Sequence, residues 1–147
     1  MNILYVRFED FPYGKAPCFR EFTLSKLLVE AGHTITVLAP NINFLKNEIN
    51  EDGTYKDIPS IKAISISQTG GSVEKSLSLL LKQEKYDFFM RPTSIKKYIT
   101  VLRIVKKHGL PIIMDSVEWY DPSNWRLKRC DPRYYLFQYM WHYLFPK

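Results

Sequence analysis

Cysteine and glycine are scarce in this 147-residue sequence, and their scarcity excludes several classes of protein. Cys18 and Cys130 are the only cysteines, and they stand far apart without the spacing of a metal-binding motif. We therefore expect a reducing compartment, no disulfide framework and no zinc site. The six glycines form neither a phosphate-binding loop ending in Gly-Lys-Ser or Gly-Lys-Thr nor the G-x-G-x-x-G of dinucleotide-binding domains.

Long hydrophobic runs and targeting signals are also missing. No apolar run approaches the roughly 18 residues that a membrane span needs, and Met1 leads into a short apolar run without a basic region or cleavage site. The three histidines lack the spacing of metal ligands. These absences predict a cytoplasmic protein with neither a metal nor a cofactor.

Positive charge is in excess, with a net charge of +6. Such an excess is weakly indicative of an anionic partner, although a solvated basic surface is the commoner explanation. The basic residues are scattered along the chain and form no stripe. We therefore expect no nucleic-acid partner.

Apolar runs of strand length alternate with segments of helical periodicity through most of the chain. This alternation is typical of a parallel sheet with right-handed crossovers. We predict an α/β protein with a Rossmann-like, doubly wound parallel sheet of about five strands in the order 3-2-1-4-5, with helices on both faces. The predicted strands are residues 2–8, 34–39, 61–67, 86–90 and 110–114. Three helices are predicted from apolar residues that would form their buried faces. These residues are Leu24, Leu27, Leu28 and Ala31 in the first helix, Val73, Leu77, Leu80 and Leu81 in the second, and Ile95, Tyr98, Ile99, Leu102 and Val105 in the third.

Two segments break this alternation. Residues 41–60 show little pattern and predict a long loop that is either functional or mobile. Residues 119–147 hold ten of the 22 aromatics, and from Tyr134 onward these surround a predicted C-terminal helix on every side. Such a helix must be buried by something or meet a membrane surface. We therefore expect residues 1–147 to be a single domain that forms half of a larger architecture.

Polar residues follow three of the predicted strands, where open α/β sheets bind their ligands. Gly14, Lys15 and Arg20 follow the first strand and lead into a helix, which favours anion binding. The other candidates are Arg91 and Ser94 after the fourth strand, and Asp115, Glu118 and Trp119 after the fifth. Each group also fits an ordinary surface loop or helix cap, but a shared edge of the sheet would make the three groups one polar cleft.

The same segments resemble a known family. Residues 14–20 (GKAPCFR) resemble a G-x-A-x-x-x-R loop, residues 31–33 (AGH) resemble the entry to its second strand, and residues 115–123 (DSVEWYDPS) are similar to a D-x-x-E-W-Y-x-P-S stretch. These motifs belong to the N-terminal half of group 1 (GT4-type) bacterial glycosyltransferases, which have the two-domain GT-B fold. The resemblance spans nearly the whole chain.

The resemblance implies transfer of a sugar, with retention, from a nucleotide-diphosphate sugar, with the acceptor held mainly by the N-terminal domain. It implies a sugar or lipid-linked acceptor, a role for Glu118 in positioning the acceptor hydroxyl, and stacking of Trp119 on a sugar ring. Two departures matter. Val117 stands where many relatives have a histidine, and no two glutamates have the E-x7-E spacing of the donor site. We therefore expect an acceptor-side half, active in bacterial surface polysaccharide synthesis only when a donor domain or partner chain is supplied.

Two alternatives remain open at this stage. One is a non-catalytic binding or scaffold subunit, whose aromatic C-terminal helix docks a partner chain, a second copy or the inner face of the membrane. The other is an unrelated small nucleotide-binding α/β domain.

Overall fold

The computed structural model describes residues 1–13, 16–45, 48–69, 71–92 and 99–115, and all of these belong to one compact unit, Met1–Asp115. The predicted aromatic C-terminal helix lies outside the described residues, so the single-domain prediction for residues 1–147 stays a prediction. In the part of the chain just listed, no helix is long and apolar enough to cross a membrane.

Five parallel strands form one sheet, as the sequence predicted. In chain order they are β1 (Asn2–Val6), β2 (Thr34–Ala39), β3 (Ile61–Ser65), β4 (Phe88–Pro92) and β5 (Ile112–Asp115). Their order across the sheet is β3-β2-β1-β4-β5, and every neighbouring pair is parallel. The apolar runs form strands because β-branched and aromatic side chains pack well when both faces of a parallel sheet are covered.

Three helices connect these strands: α1 (Ala16–Glu30), α2 (Val73–Gln83) and the described part of α3 (Ile99–Lys107). The crossover through α1 adds a strand on one side of β1, whereas those through α2 and α3 add strands on the other side. Because such crossovers are right-handed, α1 lies on one face of the sheet and α2 and α3 lie on the opposite face. The contacts agree, since α2 packs on α3.

Local signals fix several helix ends. The Ser72 side chain accepts a hydrogen bond from the backbone N–H of Lys75 and so caps α2. Gly32 has a positive φ of 85° just past α1, a conformation that glycine adopts without strain. The predicted third strand is shorter than expected, because Ile66–Thr69 form a 3₁₀ turn after Ser65.

Two predicted helix faces are wrong in part. Leu27 is 56% exposed, and the buried face of α1 is formed instead by Cys18, Glu21, Phe22 and Ser25. In α3, Ile99 is 43% exposed, whereas Val101, Leu102 and Val105 are buried. The face of α1 was misread because two polar residues occupy it, and apolar periodicity finds only apolar positions.

The loop between β2 and β3 is packed against the body of the protein. Phe44 and Tyr55 from this loop are buried, and Ile49 pairs with Tyr55 in a small hairpin. The return arm of the hairpin pairs with β3 in antiparallel fashion through Thr54 and Lys62. This loop lacked a sequence pattern because its few buried aromatic residues are widely spaced.

Candidate functional site

The carboxyl ends of β1, β4 and β5 lie side by side at one edge of the sheet. β1 and β4 are neighbours, with Tyr5 paired to Met90, and the β4–β5 register pairs Pro92 with Asp115. The point between β1 and β4 is where the strand order reverses, which is the preferred ligand position in open α/β sheets. The chain therefore leaves all three strands at the same edge, as the predicted cleft requires.

The predicted site residues are only partly within the described residues. Gly14, Lys15, Ser94, Glu118 and Trp119 lie outside them. The backbone of Arg91 stands at the second-to-last position of β4 and that of Asp115 at the last position of β5, on neighbouring strands. Arg20 is exposed in the second turn of α1. The assignment of these eight residues to one site stays a prediction, although the strands that carry them are adjacent.

The segment after β1 is tied to the segment after β2. Phe11 donates a backbone hydrogen bond to Asn41 at 3.1 Å and accepts one from Asn43 at 2.8 Å. The Asn43 side chain accepts a hydrogen bond from the backbone N–H of Tyr13 and donates one to the Tyr13 carbonyl. The Asn41 amide also donates to the Asp10 carboxylate at 2.9 Å. These bonds give residues 10–13 a defined path along the candidate site.

Aromatic side chains beneath this path hold the same segment on the core. Phe22 of α1 makes edge-to-face contacts with Phe11, Phe44 and Tyr55 at ring-centroid distances of 5.5–5.6 Å. Tyr13 lies at the rim and donates a hydrogen bond to Glu48 at 3.1 Å. Desolvation and this hydrogen bond raise the pKa of the Tyr13 hydroxyl above its usual value. The cluster joins the segments after β1 and β2 to α1.

A buried ion pair connects the end of β1 to α1. Arg7 follows β1 directly, and its backbone N–H still bonds to the carbonyl of Leu38 at 2.8 Å. Its side chain shares the face of Ile3 and Tyr5, which is the α1 face. The guanidinium NH1 group there contacts the Glu21 carboxylate, and both side chains are almost inaccessible, at 3% and 2% exposure. Removing such charges from water costs several kcal/mol per ion, so each depends on the other.

The second amino group of Arg7 holds two further side chains. It donates to Glu9 Oε2 at 3.2 Å and to Cys18 Sγ at 3.1 Å. Glu9 is 37% exposed, unlike Glu21. Arg7 thus connects a buried carboxylate, a buried thiol and a partly exposed carboxylate, and this group of four, the Arg7 cluster, lies at the carboxyl end of β1.

The sequence prediction missed the Arg7 cluster, although two signals were present. Arg7 has the same parity as Ile3 and Tyr5 in the first strand, so it points to the same side of the sheet. Glu21 and Cys18 are three residues apart, and Ser25 follows Glu21 by four, which places all three on one face of a helix. A charged residue at an inward position in each of two consecutive elements indicates a buried ion pair.

A second polar group lies at the opposite, amino edge of the sheet. Glu84 accepts hydrogen bonds from Tyr86 at 2.7 Å and from Lys62 at 3.1 Å. The hydrogen bond from Tyr86, and then that from Lys62, outweigh desolvation and lower the pKa of Glu84. Burial and the same carboxylate raise the pKa of Tyr86 well above its usual value. Both partners of the Lys62–Glu84 pair are more than one-third exposed, so this is an ordinary surface ion pair.

Among the residues that the structure describes, no group of three histidine, cysteine or acidic side chains could hold a metal ion. No protein-family model matches the chain, and no curated protein matches it either. Two solved structures of the C-terminal domain of a hydrogenase from Pyrococcus furiosus are similar to it, with TM-scores of 0.51 and 0.54. Each of the two alignments covers 78% of this chain. The first covers 89% of the hydrogenase domain at 16% sequence identity, and the second covers 90% of it at 15% sequence identity.

At that level of identity the likeness concerns the fold alone. The class that fold and topology define is an α/β protein with a five-stranded, Rossmann-like parallel sheet.

Proposed function

We propose that this chain is the acceptor-binding half of a retaining glycosyltransferase that uses a nucleotide-diphosphate sugar. In this proposal it binds a sugar or lipid-linked acceptor at the carboxyl edge of the sheet and works at the cytoplasmic side of the membrane in surface polysaccharide synthesis. It is inactive alone, because glycosyl transfer also needs groups that stabilise the departing diphosphate. Those groups belong to a donor-binding domain or partner chain.

One observation carries the proposal: β1, β4 and β5 are parallel, and β4 adjoins both of the others. The sequence motifs that resemble the glycosyltransferases lie in the segment after β1, from Gly14, and at the end of β5, from Asp115. Arg91 lies one residue before the end of β4, and Ser94 follows that strand in the sequence. Parallel strands deliver the segments that follow them to one edge, so this order supports a common cleft for Arg20, Arg91 and Glu118. An antiparallel or differently ordered sheet would have separated them.

The roles within the proposed site follow from chemistry. Gly14, Lys15 and Arg20 line the side next to α1, where backbone N–H groups and cations favour an anionic part of the acceptor. Arg91 and Ser94 form the middle. Asp115, Glu118 and Trp119 form the far wall, where a carboxylate accepts hydrogen bonds from sugar hydroxyls and an indole ring stacks on the sugar.

Titration of the isotope-labelled full chain with methyl glycosides of glucose, galactose, mannose and N-acetylglucosamine tests this proposal. We expect amide shifts next to the ends of β1, β4 and β5, and weaker binding in Glu118→Gln and Trp119→Ala. Glu30→Gln is the matched control, because Glu30 is exposed at the last position of α1. No response to any glycoside would refute the proposal, and a response to uridine diphosphate alone would favour a nucleotide-binding domain.

A further inference from the structure

The Arg7 cluster has a feature that stability alone does not explain. The side chains of Arg7 and Glu21 are 3% and 2% exposed, and a buried ion pair is commonly no more stabilising than an apolar pair of similar volume. An apolar pair would join β1 to α1 equally well. What an apolar pair could not do is hold the third member, the partly exposed carboxylate of Glu9, at 3.2 Å from the guanidinium.

We propose that Glu9 accepts hydrogen bonds from hydroxyl groups of the acceptor sugar, and that Arg7 and Glu21 are positioning residues that fix its carboxylate. This inference rests on the proposed function and adds a substrate contact to the same site. Glu9 is the third residue after β1, beside the point where the strand order reverses. The first strand therefore contributes a sugar-binding carboxylate as well as the basic loop predicted from the sequence.

The chemistry of a carboxylate suits this role. Glu9 Oε2 accepts a hydrogen bond from Arg7 at 3.2 Å and a longer one from the Cys18 thiol at 3.9 Å. A carboxylate has about four lone-pair sites on its two oxygens, so a carboxylate held in this way can still accept a hydrogen bond from a ligand. Neighbouring hydroxyls of a sugar are donors at the right separation for one carboxylate. A hydrogen bond to a charged group is stronger than one between neutral groups, and it is stronger still when the charged group is already held in place.

The order of the contacts gives each residue a distinct part. Glu21 of α1 contacts the NH1 group of Arg7, whereas Glu9 and Cys18 both contact the NH2 group. The contact with Glu21 therefore fixes the guanidinium plane in the orientation in which its NH2 group reaches Glu9. Loss of Arg7 would remove the guanidinium that contacts Glu9 Oε2, and loss of Glu21 would remove the contact that holds this guanidinium. The cluster therefore separates into a ligand-contacting residue and two residues that act through it.

The test uses the full chain and the four methyl glycosides, with calorimetric unfolding recorded for each variant. Glu9→Gln keeps the shape of the side chain and removes its charge, and we expect the dissociation constant to rise about tenfold or more. The double variant Arg7→Met with Glu21→Leu replaces the ion pair by apolar groups. We expect it to melt at or above the wild-type temperature and yet to bind as weakly as Glu9→Gln.

Each outcome bears on one claim. Equal binding by wild type and Glu9→Gln overturns the contact, and unchanged binding by the double variant overturns the positioning role. Movement of the ¹³C carboxyl resonance of Glu9 on addition of a glycoside supports the contact directly. A wild type that binds no glycoside refutes the proposed function and this inference with it, whereas wild-type binding that Glu9→Gln retains refutes this inference alone.

Discussion

Removal of either partner of the Arg7–Glu21 pair should destabilise the protein far more than removal of both. The two side chains are 3% and 2% exposed, so a single substitution leaves an uncompensated charge in the interior. Such a charge costs about 3–5 kcal/mol. Domains of this size have a total stability of about 5–15 kcal/mol, so Arg7→Met or Glu21→Leu alone should remove a large part of it.

The double substitution should be nearly neutral. Met and Leu fill similar volumes without needing hydration, and replacements of this kind range from neutral to stabilising by about 1–4 kcal/mol. Glu9 loses its contact with Arg7 as well, but it is 37% exposed and water can solvate it. The coupling between the two sites should therefore be at least about 3 kcal/mol in magnitude, which exceeds the usual range for exposed pairs.

Urea denaturation of the wild type, both single variants and the double variant measures this coupling. The Lys62–Glu84 pair is the matched control, since its N–O distance is 3.1 Å and its side chains are 37% and 39% exposed. Breaking that pair should cost no more than about 1 kcal/mol. If Arg7→Met and Glu21→Leu cost no more than Lys62→Met and Glu84→Leu, burial does not govern the energetics of this pair.

Three other predictions concern packing, backbone strain and pH. Phe22→Ala should cost about 3–5 kcal/mol in chemical denaturation, because the ring contacts four aromatic side chains. Ala in place of the 62% exposed Phe19 should change stability by less than about 0.5 kcal/mol. Gly53→Ala should lower the melting temperature more than Gly71→Ala. Both glycines have positive φ, but an added Cβ at Gly53 would lie 2.7 Å from the carbonyl oxygen of Ala63. Equal losses would mean that the backbone shifts to relieve this contact at little cost. Because the pKa of Glu84 is lowered in the folded protein, the Glu84 carboxylate should stabilise the protein above about pH 5 and lose this effect as the pH falls through the folded pKa. The difference in stability between the wild type and Glu84→Gln should therefore vanish in acid. A difference that persists in acid would show that the charge of Glu84 is not its origin.

The strands and their order could be predicted because parallel strands are coded by local, nearly uninterrupted apolar runs. The second strand was predicted at its observed bounds, Thr34–Ala39. The others shifted by one or two residues at their ends, where pairing with a neighbouring strand and not the local sequence decides the last residue. Arg7 illustrates this, since it continues the pairing with Leu38 beyond the end of β1.

The Arg7 cluster and the aromatic cluster could not be predicted so directly. Phe11 and Phe44 are 33 positions apart in the sequence and meet only because the segments after β1 and β2 pair through Phe11 and Ile42. Glu21 looked like an ordinary exposed glutamate of a helix, because sequence patterns assign carboxylates to the surface unless a partner is known. Contacts of this kind form only in the assembled tertiary structure, and the periodicity of a sequence reports only on the secondary-structure elements.

The hairpin formed by residues 49–55 has a consequence for solubility. It lies along the outer side of β3, where Ala63 donates to the carbonyl of Gly53 and Tyr55 donates to that of Ile61. An unprotected edge strand of a sheet invites pairing with other molecules and hence aggregation. By pairing with the backbone groups of β3, the hairpin prevents a strand of another molecule from pairing with this edge of the sheet. A variant in which the hairpin detaches from β3 should therefore aggregate under conditions in which the rest of the protein is still folded.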